Sequence, residues 1–530
     1  MEINEQDYQK ALEMWSITGC KNLLDYMLVY LKLDVFLLAD FFQQFRAKSL
    51  AHNNLEPLTF FGIPGMSWAS ALMSLNQPIE LLTDNDMYTF FEGGIRGGLT
   101  FVNKHHVVSN ENTDLLYIDI NNLYGWALSQ KLPYADFEWV YTGLDSVLEE
   151  CRIGDLESLP YGYTLEVDMV IPAEIQDELN DLPVAAEHQS APGSKVIKLM
   201  LTHYPKENYV IHWRLLQIYL QLGVQITKVH RGVKFSQASI FKQYIDVNTK
   251  LRSECKTELE KNYYKLLNNS LYGKTVENLK KRMNLRLCNS AKKLITYASK
   301  PSFRKTIKID QDLIAVLLNM DKVCLNRPGY IGQTVLDLSK LRMYQLQYIE
   351  LAKYRKNQKC TINIVAGDTD SFFLEVKGIR LESLLKLMVQ DELLDTSNYD
   401  AEHPLYNNKL NSVIGRFKDE SKGKIYKEWI FLRPKCYSLL SEKTSMKAKG
   451  VTLKDTDLTH QSYLDCYNNN QSVSVDQFRI GTINHQLFSF KRPKIALTNN
   501  DDKRVWTHKN TSVPYGHCSL TAINKTLDQQ

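Results

Sequence analysis

Residues 360–376 read CTINIVAGDTDSFFLEV, two apolar, β-branched runs joined by Gly-Asp-Thr-Asp. Such runs favour strands and the junction supplies a turn, so the stretch predicts a β-hairpin with Asp368 and Asp370 at its tip. Asp-Thr-Asp is also ordinary turn chemistry, and alone it would decide little. Asp119 adds weight. It lies in LLYIDINNLYGWAL, residues 115–128, where a buried strand from Leu115 to Ile120 runs into a turn or helix start. A carboxylate at the end of an apolar strand is costly to bury without a cation or partner. Three carboxylates from two neighbouring strands can hold two Mg²⁺ ions ~3.5–4 Å apart, an arrangement suited to activating a hydroxyl and stabilising a leaving pyrophosphate.

A second segment, KNYYKLLNNSLYG at 261–273, has helical periodicity. At 100° per residue Lys261, Lys265, Asn269 and Tyr272 share one stripe, with Tyr263, Leu266, Leu267 and Leu271 opposite. Two ammonium groups and an amide backed by an aromatic fit a triphosphate and its base, and Arg252 upstream can join as a phosphate fork. The competing reading is a plain amphipathic helix with a solvated lysine face. In EGGIRGGLTF, residues 92–101, four glycines surround Arg96. Glycines so spaced let backbone pass close to another group, and the charge suggests phosphate, although a plain glycine-rich turn reads equally well.

The 530 residues exceed what one core usually serves, so roughly two to four lobes are expected. Apolar and charged fractions of 44% and 23% are those of a soluble globular protein. A net charge of +4 does not by itself declare a nucleic-acid partner, so any basic surface must be local. Residues 273–308 supply one, with Lys274, Lys280, Lys281, Arg282, Arg286 and six further cations opposed by Glu277 alone. The nine cysteines never form a CxxC pair, which argues against a zinc knuckle or a disulfide framework. The first residues are charged and no apolar run approaches about 18 residues, so a soluble protein in a reducing compartment is expected. Apolar spacing from Asn22 to Phe45 predicts one or two buried helices, followed by a boundary near Asn53 to Pro64. Helical periodicity returns at 208–223 and 240–271, while the prolines, glycines and acids of Tyr141 to Lys195 suit an inserted subdomain. Strands and helices mixed without a βαβ rhythm indicate an α+β fold.

Three of these segments, in this order, resemble family B DNA polymerases. IDINNLYG (118–125) resembles DxxSLYP, KLLNNSLYG (265–273) matches KxxxNSxYG, and GDTDS (367–371) carries the core of YxDTDS. RPKCYSL contains the KxY element and GIRGGLT resembles the YxGG-type element. Connecting segments such as LGVQITKVHRGVKF, GRFKDESKGKIYKEWIFLRPKCYSL, DDKRVW and YGHC are similar to the protein-primed polymerases of Polinton/Maverick elements and their adintovirus and bidnavirus relatives.

The resemblance implies a right-hand polymerase of palm, fingers and thumb, adding dNTPs to a primer 3′-hydroxyl along a DNA template and started by a priming terminal protein. It implies an exonuclease remnant at 1–60, a glycine-rich linker and first palm part at 61–140, and a priming-protein-binding insertion at 141–205. Fingers would follow at 206–278, a strand-displacement insertion at 279–325, palm at 326–440 and thumb at 441–530. Asp119 and Asp370 would bind two Mg²⁺ ions, with Mn²⁺ as a substitute, Asp368 assisting and the Ile120 carbonyl completing a shell. Tyr124 would be the gate against a ribose 2′-hydroxyl; Lys265, Lys261 and Arg252 would hold the triphosphate; Asn269 and Tyr272 would line the base-pair pocket. Arg96, Gly97, Gly98, Lys435 and Tyr437 would contact DNA. The protein would act without a membrane, in the nucleus or at a viral replication site.

Three residues depart from the motifs: Asn122 for serine, Gly125 for proline and Ala366 for tyrosine. YLKLD, with Tyr30 and Asp34, resembles the last exonuclease motif, yet no DxE precedes it. One exonuclease carboxylate cannot hold two metals, so proofreading is expected to be absent. A decayed or domesticated polymerase serving as a DNA- or partner-binding scaffold is the alternative reading.

Overall fold

A computed structural model describes residues 5–483 and 486–520. The chain forms two units, residues 1–74 and 75–530. In the first, helices Glu5–Thr18, Leu23–Asn53 and Ile63–Met73 are joined by short turns. The long helix starts where the Asn22 side chain accepts the Asp25 amide and stops at Asn54 in the left-handed region. It spans the predicted helical stretch, but the burial expected there does not follow. Leu24, Met27, Leu31, Phe36 and Leu38 are exposed, and Ser49 is the buried residue of this helix. Its apolar residues surround the axis, and the described residues of this unit contain no sheet to cover them. The predicted boundary at Asn53–Pro64 also moves, to Ser74/Leu75. Pro64 does not end a unit; it sits in the first turn of helix Ile63–Met73, where a missing amide costs nothing.

The second unit is built on a six-stranded sheet ordered Thr100–Val102, Thr361–Asp368, Ser371–Lys377, Thr113–Ile120, Phe417–Asp419, Leu394–Asp395. The predicted hairpin is present, and register places Asp119 opposite Ser371 on one side and Lys418 on the other. One face packs Val102, Leu115, Val365 and Phe373 against Trp429, Phe431 and Leu439 of a four-stranded sheet that includes Glu428–Arg433 and Cys436–Leu440.

Another four-stranded sheet corrects one expectation. Its order is Leu132–Val140, Gln225–Ala238, Tyr161–Val170, Lys206–His212. Strand Tyr161–Val170, within the 141–205 stretch, lies inside this sheet and pairs on both sides. Residues 208–212, expected to be helical, complete its edge strand, and the helix begins only at Trp213. The helical stretch 240–271 becomes two helices, Lys242–Glu254 and Glu258–Thr275, the second capped by the Thr257 side chain. Helix Gly329–Gln345 is buried from Tyr330 to Tyr344.

Residues 283–319 form a three-stranded sheet with helix Ala291–Ala298 packed over Cys288, Val316 and Leu318. Part of the predicted basic run is neutralised: Glu277 binds Lys274 (3.1 Å), Arg282 (2.6 Å) and Arg327 (3.2 Å), and Lys280 binds Glu92 (2.5 Å). Arg286, Lys305 and Lys308 remain exposed. The cysteines are all free. Among the described residues no helix is long and apolar enough to cross a membrane.

Candidate active site

The carboxylates meet where the two central strands of the six-stranded sheet end. Asp119 is the penultimate residue of its strand, and the Ile120 amide donates to the Asp370 carbonyl (2.8 Å), locking the hairpin tip to the strand end. Within the tip the Asp370 amide donates to the Asp368 carbonyl (2.8 Å), which requires Thr369 to take φ +66°. That conformation is strained for a β-branched residue.

Charge at the tip is under-compensated. Burial, then the Asp370, Glu420 and Asp368 carboxylates, push the Asp119 carboxyl up to about 8 against the pull of Lys447. Asp370 is raised by burial and Asp368, opposed by its own backbone hydrogen bond and by Lys435 and Lys447. Two half-buried carboxylates that resist ionising side by side are a donor set suited to a divalent cation, whose charge would remove the penalty. Asp368 differs, since Lys435 forms an ion pair with it. Among the described residues no three acidic, histidine or cysteine side chains are already gathered into a closed coordination cluster.

A cleft of about 620 Å³ opens in front of Asp119 and Asp370. Ile120, Tyr124, Arg252, Lys265 and Asn269 line it as well, so the strand end and the two helices converge on one space. Tyr124 stacks on Tyr272 with ring centroids 4.6 Å apart and planes 12° from parallel. Burial raises both hydroxyls, with Asp370 adding to the shift of Tyr124. Among the described residues no carboxylate pairs with Arg252 or Lys265. The cleft thus brings the cations Arg252 and Lys265, without a carboxylate partner, into the same space as Asp119 and Asp370, the pattern an anionic ligand carrying a metal would bridge.

Residues 2–315 match the family described as DNA polymerase type B, organellar and viral. The chain belongs to this family. Its fold is similar to solved structures of phi29 DNA polymerase. The complex with primer-template DNA and incoming nucleotide substrates gives a TM-score of 0.55 at 14% identity, covering 83% of this chain and 68% of that one. The complex with single-stranded DNA gives 0.53 at 14%, with 83% and 68% covered, and the post-translocation binary complex 0.52 at 14%, with 82% and 68%. No curated protein sequence matches. The chain is a family B DNA polymerase, with the mixed α+β fold of its structural neighbours.

Several residues chosen from the polymerase motifs lie elsewhere. Lys261 is outside the cleft, paired with Glu258 at 3.2 Å. Leu266, expected on the buried side of its helix, is exposed, while Tyr264 and Asn268 are buried. The Asn268 side-chain oxygen accepts from the Asn248 side-chain amide (3.0 Å), a polar tie between the two helices. Arg96 is corrected more sharply. It is 8% exposed, donates to the Val210 carbonyl (2.9 Å) and lies over the Tyr209 ring (3.7 Å), so the guanidinium points inward, away from any phosphate at the surface. Gly98 abuts Thr369, whose methyl would lie 2.3 Å from an added Cβ.

Asn122 and Gly125 turn out to be one feature of the polymerase. Asn122, at φ +49°, caps helix Leu123–Ser129 by accepting the Gly125 amide (3.1 Å), and a Cβ at Gly125 would meet the Asn122 amide nitrogen at 2.3 Å. Ala366 faces the apolar core, opposite Val102 and Phe373 in register. Tyr437 is buried there too, with Lys447 above its ring at 5.5 Å. Tyr30 and Asp34 are exposed on the Leu23–Asn53 helix.

Sequence reasoning missed Ser412, Lys418 and Glu420, which line the cleft, and Lys447, which acts on both acids. Lys418 and Glu420 flank Asp419 in FKDE, an alternation consistent with a strand presenting charges to one side, but nothing local ties that strand to Asp119.

Proposed function

We propose that this polymerase joins deoxynucleotides to a primer 3′-hydroxyl, and that the cleft in front of Asp119 and Asp370 is where it does so. The supporting observation is the convergence of these acids with Arg252, Lys265, Asn269 and Tyr124 on one space. Asp119, Asp370 and the Ile120 carbonyl, with Asp368 assisting once released from Lys435, would hold two divalent cations, which when bound activate the hydroxyl and offset charge on pyrophosphate. Lys265 and Arg252 take the triphosphate as charge-assisted donors. Tyr124, braced by Tyr272, closes the side of the cleft where a 2′-hydroxyl would project. Asn269 faces the base.

The phi29 complexes contain primer-template DNA and nucleotides, and the shared fold supports the same partners here. Initiation on a terminal protein, as in the Polinton, adintovirus and bidnavirus enzymes, rests on the connecting segments quoted above. The exposed cations of residues 283–319 fit contact with a displaced strand.

Primer extension with Mg²⁺ and the four deoxynucleotides tests the reading. Incorporation by the parental chain and its loss in Asp370→Asn are expected. No incorporation under any divalent metal would overturn it, and DNA binding retained in such a chain would favour the scaffold reading.

A further inference from the structure

The Asp368–Thr369–Asp370 tip is held in its strained form from outside the hairpin. The Thr369 amide donates to the Leu99 carbonyl (2.7 Å), and Gly98 leaves just enough room for the Thr369 side chain. The segment carrying Gly98 and Leu99 is itself clamped. Lys340, 3% exposed in the buried helix Gly329–Gln345, donates to the Arg96 carbonyl at 2.6 Å and to the Leu336 carbonyl at 3.2 Å. Asp337, also 3% exposed, lies 3.7 Å from the Lys340 ammonium and accepts from the His212 amide (3.0 Å) and the Gln333 side chain (2.6 Å). Gly94 fits against Gln333 and Val210, where an added Cβ would meet carbons at 2.8 and 3.1 Å. The glycine-rich segment is thus pinned between helix and strand before it reaches the tip.

A buried lysine is expensive unless its charge is paired and its donors are used. Here the ammonium ties a loop carbonyl that no backbone ladder reaches. We infer that Lys340, oriented by Asp337, is a positioning residue for the metal-binding turn. By fixing the Arg96 carbonyl it sets Gly98 and Leu99, which hold Thr369 in the left-handed conformation that presents Asp368 and Asp370. This rests on the polymerase reading above.

The test compares Lys340→Met, Thr369→Gly and the double variant with the parental chain for melting temperature, dNTP KM, turnover and the Mg²⁺ concentration giving half activity. For Lys340→Met the expected result is turnover lowered and the Mg²⁺ midpoint raised by about tenfold or more, with dNTP KM unchanged, because a misplaced ligand weakens metal use rather than nucleotide capture. A purely structural role would lower the melting temperature and leave the Mg²⁺ midpoint in place. Glycine adopts the turn without strain, so Lys340→Met added to Thr369→Gly should shift the midpoint little further. Should Lys340→Met not fold, Gly98→Ala leaves the buried pair intact, presses on Thr369 directly and should raise the midpoint likewise. A parental Mg²⁺ midpoint in Gly98→Ala or in folded Lys340→Met, or full multiplication of the two single effects, overturns the inference. An inactive parental chain would instead refute the polymerase reading.

Discussion

Gly125→Ala should change sign with the residue at 122. In the parental chain the new Cβ would lie 2.3 Å from the Asn122 amide nitrogen and 2.6 Å from its Cγ, so the side chain must leave its cap. Losing the cap costs about 1 kcal/mol. Crowding adds about 1–3 kcal/mol. Against this, alanine for glycine inside a helix gains about 1 kcal/mol. The net expectation is destabilisation by about 1–3 kcal/mol, concentrated at the turn that carries Tyr124. Asn122→Ala removes the cap and places alanine at φ +49°, costing about 2–3 kcal/mol in all. In that background the three atoms nearest a Cβ at 125, all of the Asn122 side-chain amide, are gone, so Gly125→Ala should stabilise by about 1 kcal/mol. The coupling between the two sites is therefore about 2–4 kcal/mol, well beyond the scatter of independent mutations. Chemical denaturation of the four proteins measures it, and ribonucleotide insertion reports whether Tyr124 has moved. Equal effects of Gly125→Ala in both backgrounds would show that the cap and the missing Cβ are unrelated, and the argument would fail.

Asp119 sets a pH dependence. Its folded pKa, about 8, lies above the ordinary 3.8, so between those values the folded state keeps a proton that the unfolded chain has lost. Stability of the metal-free protein should fall as pH rises through that window, the melting shift produced by Mg²⁺ should grow across it, and Asp119→Asn should flatten both in thermal scans. Lys265→Ala should raise dNTP KM by about 10–100-fold in steady-state extension, the worth of a hydrogen bond to a charged group, and Lys261→Ala by much less because Lys261 lies outside the cleft. Tyr124→Ala should raise ribonucleotide relative to deoxynucleotide insertion by about tenfold or more in single-nucleotide competition; unchanged discrimination would place the gate elsewhere. Stepwise shortening of 3′-labelled single-stranded DNA is not expected with Mg²⁺, and Asp34→Ala should behave as the parent; degradation lost in that variant would reveal exonuclease partners for Asp34.

Local pattern was enough for the hairpin, the Asp119 strand and the 261–273 helix, because each depends on apolar periodicity and turn chemistry within a few residues. Residue chemistry on those elements picked Asp119, Arg252, Lys265, Asn269 and Asp370, and the family resemblance added Ile120 and Tyr124; all seven line one cleft, from segments up to 251 positions apart. Periodicity could not tell that Asn208–His212 is an edge strand, because pairing with Tyr161–Val170 decides it. Nor could it give the fate of a charge. Arg96 reads as a phosphate ligand until the Val210 carbonyl and Tyr209 ring turn it inward, and Lys261 reads as equivalent to Lys265 until Glu258 claims it. Nothing local ties Glu420 or Lys447 to Asp119: they act on it through space, and only the sheet order that brings Phe417–Asp419 beside Thr113–Ile120, and Ser445–Ala448 beside Cys436–Leu440, makes them neighbours. Backbone preference is a short-range property legible in order, whereas burial and electrostatic partnership are set by distances that exist only after the chain has folded.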